Sequence, residues 1–349
     1  TFTNTAATGF DIANGRVNAV HTTRGTIRAQ HVVVSCGIWG PLIGEMAGVG
    51  VPLWPIEHPL LFFGPLEEIQ GTDEYLVYPL LRDMGNSAYV RDTGRSEGGM
   101  LEWGYYEPFE PRLVDAADIG NPDKTRLSAS MRHIELEQVL EALGRASDTV
   151  PKIEQLGWDE RGSFNGLLSV TSDSGSLIGE TPEVRGLWLC EAAWVKDGPG
   201  VARLCAEWML RGPTPVDMHT ADIARFYPAQ KDREYVRGRC YENAKTIYYP
   251  PVHPREPYLS GRDLYHSPFY QREQELGGYF ENEVGGWERA YAYASNEEKL
   301  KPYLARVPVR ENEWDRRHVP YETANAEHLA MSDGVGMITL SHFAIFDIE

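Results

Sequence analysis

Two residues of this chain could move a proton, and two could hold an anionic group. His58 sits in Pro-Ile-Glu-His-Pro and Tyr89 in Ser-Ala-Tyr-Val-Arg, each within a short strand-like run. An imidazole titrates near neutral pH and a phenol can hydrogen-bond it, so the pair could control the proton of an amine. The same residues would serve equally as a hydrogen-bonded structural His and a half-buried sheet Tyr. Arg82 and Arg91 flank these runs. A guanidinium grips a carboxylate with its planar fork, or it closes a hairpin ion pair at the surface. A different chemistry is suggested by Asp197-Gly198-Pro199-Gly200. Gly186 to Val195 before it is an apolar run suited to a strand buried on both faces, and Val201, Leu204, Cys205, Trp208 and Met209 after it recur at helical spacing. Strand, Gly-rich turn and helix gather free N–H groups and the positive end of a helix dipole into a seat for negative charge. An ordinary strand-to-helix turn that binds nothing has the same pattern.

The elements that must position these residues can be traced along the chain. Asn14-Gly15 and Arg24-Gly25 read as hairpin turns between short alternating strands, and Ala29 to Gly37 as an apolar strand ending in Ser-Cys-Gly. Trp39 to Met46 reads as a helix. From 51 to 166, strands are expected in Val51–Phe63, Tyr75–Tyr78, Ser87–Arg91 and Met100–Gly104. A helix is expected over Arg126 to Arg145, with Leu136, Val139, Leu140 and Leu143 on one face. That pattern is an antiparallel sheet with a covering helix. Residues 213–310 are rich in Pro, Tyr, Arg and Glu, and no internal repeat or low-complexity tract is present.

Composition narrows the classes of function. The 349 residues are 42% hydrophobic and 24% charged, an ordinary globular balance. No run approaches the ~20 apolar residues of a membrane span. A net charge of −18 argues against nucleic-acid and anionic-membrane partners, both of which demand a basic surface. Cys36, Cys190, Cys205 and Cys240 show no ligand spacing, and the scattered histidines make a metal site unexpected. The cysteines read as reduced thiols of a cytosol-like compartment, the cytoplasm of a bacterium or the mitochondrial matrix of a eukaryote. The chain opens on Thr1 in mid-pattern and ends in an apolar alternation, as expected of a piece of a longer protein.

Asp173-Ser-Gly175-Ser-Leu177-Ile-Gly179-Glu180-Thr-Pro182, then Gly186-Leu-Trp-Leu and Ala192-Ala-Trp-Val, resembles the end of the flavin domain in the dimethylglycine and sarcosine dehydrogenase/oxidase family, with Ser176 where Pro is usual. The meander at 9–37 resembles the late part of a glutathione-reductase-type FAD-binding domain. Tyr270-Gln-Arg and Gly286-Trp-Glu-Arg-Ala resemble the family's middle domain, with Ala290 at a Pro position. Residues 311–349 resemble the opening of its folate-binding, aminomethyltransferase-like domain.

The resemblance implies a fold of mixed α/β and α+β class. Residues 1–50 and 167–212 would form the late part of an FAD-binding Rossmann domain. An inserted antiparallel substrate domain would span 51–166, a middle domain 213–310, and the start of the aminomethyltransferase-like domain 311–349. It implies FAD, contacted by Cys36, Gly37, Trp39, Gly175, Leu177, Trp194, Val195, Gly198, Gly200 and Val201, with the Gly-rich turn seating the N1/C2=O edge of the flavin. It implies His58 and Tyr89 as the substrate-side catalytic residues, and Arg82, Arg91 and Glu107 as candidate substrate-binding residues. The implied reaction is hydride transfer from an N-methyl amino acid to FAD. The resulting iminium is hydrolysed to formaldehyde or passed to tetrahydrofolate, and oxygen or an electron-transfer flavoprotein accepts the electrons. A non-catalytic regulatory subunit on the same fold is the alternative. The G-x-G-x-x-G fingerprint is absent from this chain, which leaves open whether the chain alone binds FAD.

Overall fold

Alternation at period two fixes the central sheet of the protein. The computed structural model describes residues 1–70, 78–247, 258–280, 282–308, 321–341 and 343, in two compact units, Thr1–Pro251 and Val252–Glu349. In the first unit the order is β1 (Ala7–Ala13), β2 (Arg16–Thr22), β3 (Gly25–Arg28), β4 (Val32–Val34), α1 (Gly40–Ala47), β5 (Leu53–Phe63), β6 (Leu81–Asp83), β7 (Ala88–Asp92) and β8 (Leu101–Tyr105). There follow β9 (Met131–Arg132), α2 (Leu140–Thr149), β10 (Phe164–Thr171), β11 (Leu177–Glu180), β12 (Leu187–Glu191), α3 (Gly198–Arg211) and α4 (Arg233–Thr246).

Strands β1 to β3 form the expected meander. Asn14 and Gly15, at φ +52° and +68°, make the tight turn that joins β1 to β2. A second sheet has the order β11-β12-β4, with β12 parallel to β4 and antiparallel to β11. The largest sheet has the order β6-β7-β8-β5-β10-β9 and is antiparallel throughout. Leu61, Phe63, Ala88, Val90, Leu101, Trp103 and Tyr105 point to one face and pack with Val139, Ala142 and Ala146. The residues at the alternate positions of these strands must therefore face the other way. These are His58 on β5, Tyr89 and Arg91 on β7, and Glu102 and Gly104 on β8.

Several expectations are corrected. The helix expected at Arg126–Arg145 begins only at Leu140. Met131–Arg132 is instead an edge strand on β10, and Leu136–Gln138 is a single 3-10 turn. Leu136 and Leu140 are 37% and 53% exposed, because the face that packs is Val139, Ala142 and Ala146. Val139 and Leu143 of the expected face do pack on the core, and the small Ala142 and Ala146 beside them let α2 approach the sheet. The strand expected over Ala29–Gly37 shortens to Val32–Val34, since the chain turns at Cys36 and Gly37. Strand β10 runs through position 167 and pairs with β5 over its whole length, so the chain stays in the large sheet until Thr171. Most of the strand expected at 75–78 lies outside the described residues, as do 311–320, 342 and 344–349 of the segment likened to the aminomethyltransferase-like domain.

In the second unit, the residues likened to a middle domain serve its packing. Glu273, in the helix Tyr270–Glu275, is buried and accepts hydrogen bonds from Tyr293 Oη (2.9 Å) and Ser267 Oγ (3.1 Å). Glu288, also buried, accepts from Arg262 Nε (2.9 Å) and the Asp263 amide (2.8 Å). Among the described residues no helix is long and apolar enough to cross a membrane.

Candidate active site

The polar face of the large sheet brings His58 and Tyr89 together across an intervening strand. His58 lies on β5 and Tyr89 on β7, with β8 between them. Gly104 of β8 is the register partner of Tyr89, and a Cβ there would lie 2.1 Å from Tyr89 Cζ. Glycine is required at this point so that the tyrosine ring can cross β8. Tyr89 Oη then reaches His58 Nε2 at 3.1 Å. His58 Nδ1 lies 2.8 Å from the carbonyl oxygen of Tyr105. A carbonyl only accepts, which assigns the proton to Nδ1 and leaves Nε2 to accept from the Tyr89 hydroxyl. Burial lowers the pKa of His58 to about 4, against the opposing pull of the Tyr105 carbonyl. The imidazole is therefore neutral at physiological pH.

Tyr106 stacks on His58 with ring centroids 4.2 Å apart and lines a cavity of about 440 Å³. The other walls come from Arg82, the loop Ser174–Ser176, Trp194, Asp197 and the end of α4 at Thr246. Tyr106 was not singled out in the sequence, although it lies within Gly104-Tyr-Tyr-Glu107; its signal was an extra aromatic beside the candidate residues.

The remaining candidates divide. Arg82, the register partner of Tyr89, shares its face and reaches the cavity wall. Arg91 ion-pairs with the buried Glu102 at 2.6 Å, the hairpin role its alternative reading allowed. Glu107 accepts from Tyr105 Oη (3.1 Å) and from the Phe109 amide (2.8 Å), which ties it to the turn after β8. Gly175 and Trp194 line the cavity, and the Trp194 indole donates to the carbonyl of Ser169 at 2.8 Å. Val195 is 97% exposed. Leu177 is wholly buried in a core cluster, so its side chain packs the protein rather than facing a ligand. Val201 packs against Cys205 and Trp188. Trp39 is partly exposed after the Cys36–Gly37 turn, and the amides of Cys36 and Gly37 both donate to Glu191. That turn can offer close approach but not those two N–H groups. Glu191 was also missed; a lone acid inside the run Leu-Trp-Leu-Cys-Glu-Ala-Ala-Trp was its signal.

At the start of α3 the Gly198 amide donates to the Trp194 carbonyl at 2.9 Å and Pro199 has no N–H, so the anion seat suggested by the sequence loses both of those donors. No side chain caps the helix, and a Cβ added at Gly198 or Gly200 would meet nothing within 4 Å. The glycines thus leave open space over a helix N-terminus, next to Asp197 on the cavity wall.

Comparison with known proteins identifies the family. A family described as FAD dependent oxidoreductase matches residues 1–208, and a family described as FAD dependent oxidoreductase central domain matches 211–267. The chain is 30% identical over 338 residues to 4-methylaminobutanoate oxidase (formaldehyde-forming) of Paenarthrobacter nicotinovorans, covering 95% of this chain and 37% of that protein. It is 31% identical over 284 residues to mitochondrial sarcosine dehydrogenase of Homo sapiens, covering 80% of this chain and 28% of that protein. L-proline dehydrogenase from P. horikoshii shares the fold with a TM-score of 0.50 at 21% identity, over 63% of this chain and 53% of that one. The chain therefore spans well under half the length of these two relatives.

Proposed function

This chain belongs to the FAD-dependent oxidoreductase family, and on that premise we propose that it serves the oxidative demethylation of an N-methyl amino acid of the dimethylglycine or sarcosine class. The observation that carries the reading is the dyad of His58 and Tyr89, 3.1 Å apart, with the cavity-lining Tyr106 stacked on His58. When bound, FAD accepts the hydride from the N–CH3 carbon. The residues of the chain control the proton. An ammonium nitrogen has no lone pair to support the forming C=N bond, so the amine must be neutral before the hydride leaves. Tyr89 takes the amine proton while passing its own to His58 Nε2. The burial that keeps His58 neutral also disfavours an ammonium beside it, and it opposes a lasting imidazolium on His58, so desolvation favours the neutral amine while the dyad carries the proton only in passing.

Arg82, on the cavity wall, binds the carboxylate of the substrate through its fork. Arg91 is excluded from that role by its pairing with Glu102. Gly200 at the start of α3 would face the N1/C2=O edge of the flavin, with Gly198 giving room for its approach and Gly175 and Trp194 beside it. The iminium product is hydrolysed to formaldehyde or passed to tetrahydrofolate, and the electrons go to oxygen or to an electron-transfer flavoprotein. One relative bears a formaldehyde-forming name, which supports the first fate.

The test is anaerobic stopped-flow reduction of the flavin in the full-length protein, with sarcosine, dimethylglycine and 4-methylaminobutanoate in turn. Tyr89→Phe is expected to retain flavin and to slow reduction by ~10²-fold or more, the lower range for a positioned proton-transfer group. An unchanged rate would remove the dyad from the mechanism.

A further inference from the structure

Strand β12 ends in a buried acid whose oxygens are held by backbone amides. Glu191 is 1% exposed, and its Oε1 and Oε2 accept from the amides of Cys36 and Gly37 at 2.6 Å each. Its carboxyl group lies so close to α1 that a Cβ on Gly40 would approach it to 3.2 Å. The titratable groups that act on it are two thiols, Cys36 on the turn after β4 and Cys190, the preceding residue of its own strand. Gly37 at φ +57° turns its amide, with that of Cys36, toward the same carboxylate.

A carboxylate can accept from two converging N–H groups. A carboxylic acid keeps one good acceptor and turns its other oxygen into a donor, so it holds only one of them well. We propose that Glu191 is the positioning residue of the Cys36–Gly37 turn, clamping both amides as a carboxylate and releasing one of them when protonated. The inference rests on the reading of that turn as a place of close approach to FAD. Burial raises Glu191 to about 8 despite its two amide bonds, so the change from clamped to released falls near neutral pH.

Cys36 reports on the clamp without any flavin. Cys36 is an exposed residue, and partial burial of its thiol, with the charge of Glu191 second, raises its pKa. Alkylation of the full-length protein by iodoacetamide, followed across the neutral and alkaline range and measured at the Cys36 peptide by mass spectrometry, gives its rate profile. The wild-type profile is expected to break in slope as Glu191 ionises. In Glu191→Gln the break is expected to vanish, with Cys36 reacting several-fold faster on the alkaline side. A wild-type profile without a break overturns the proposal, even where the variant fails to fold, and so does a Gln variant that keeps the break. FAD affinity measured over the same range is expected to tighten where the break occurs. A break at Cys36 with no matching change in FAD affinity keeps the clamp and refutes the placing of this turn at the cofactor.

Discussion

Gly104→Ala tests the dyad without altering either of its members. The added Cβ would lie 2.1 to 2.4 Å from Cζ, Cε1 and Oη of Tyr89. Ordinary contact between carbons is ~3.5–4 Å, so the ring must retreat by more than ~1 Å. The hydrogen bond to His58 starts at 3.1 Å, and a shift of that size carries it beyond hydrogen-bonding range. Overpacking of this kind costs ~1–3 kcal/mol of stability, which a 349-residue protein tolerates at moderate temperature. The kinetic loss should be larger in proportion. Breaking the relay is expected to slow anaerobic flavin reduction by ~10²-fold, the same loss expected of Tyr89→Phe. If the alanine acts only through Tyr89, adding it to Tyr89→Phe should slow reduction no further. A folded Gly104→Ala protein that reduces its flavin at the wild-type rate would refute the reasoning. So would a double variant in which the two losses multiply.

Other expectations concern charge. His58 binds its proton less tightly in the folded protein, near pKa 4, than in the unfolded chain, near 6.5. Its contribution to stability is therefore fully present above pH ~6.5 and lost as pH falls through ~4, amounting to about 3 kcal/mol. Chemical denaturation of wild type and His58→Gln between pH 7 and 4 should show a shallower acid slope in the variant; equal slopes would contradict the buried neutral imidazole. Arg82→Ala should raise the KM for an N-methyl amino acid by ~10-fold or more, the worth of a charge-assisted hydrogen bond, with little loss of stability. Arg91→Ala should do the reverse, because it strips a partner from buried Glu102 and leaves the cavity wall intact. Thermal melts and steady-state kinetics on the two variants separate these outcomes, and a KM effect at Arg91 would overturn the division of roles.

The parts legible in the sequence were those written in local pattern. Asn14-Gly15 announced its hairpin. The run ending at Glu191, the glycines at 198 and 200 and the spacing of Val201, Cys205 and Trp208 announced strand, turn and helix. Strand alternation was enough to put His58 and Tyr89 on one face once their strands shared a sheet. What pattern could not show is contact between distant segments. Glu191 meets the Cys36 amide across 155 positions, and the apolar run around it gave no hint of its partner. Tyr106 acquires its place only because β5 and β8 pair and bring it onto His58. The misplaced helix failed for a different reason. Apolar spacing ran back through residues that instead form the edge strand Met131–Arg132 and a 3-10 turn, while Val139 and Leu143 of the expected face do pack, beside Ala142 and Ala146. Arg91 was ambiguous as a lone cation, and its cross-strand register with Glu102 decides it.

The proposed reaction is tested most directly by one visible absorption spectrum of the full-length protein, taken before and after anaerobic addition of dimethylglycine and then of sarcosine. The expected result is an oxidised flavin band that bleaches with at least one of them. A flavin band that stays oxidised with both would contradict the assigned substrate class, and a protein purified without any flavin band would contradict a catalytic role and favour a regulatory one.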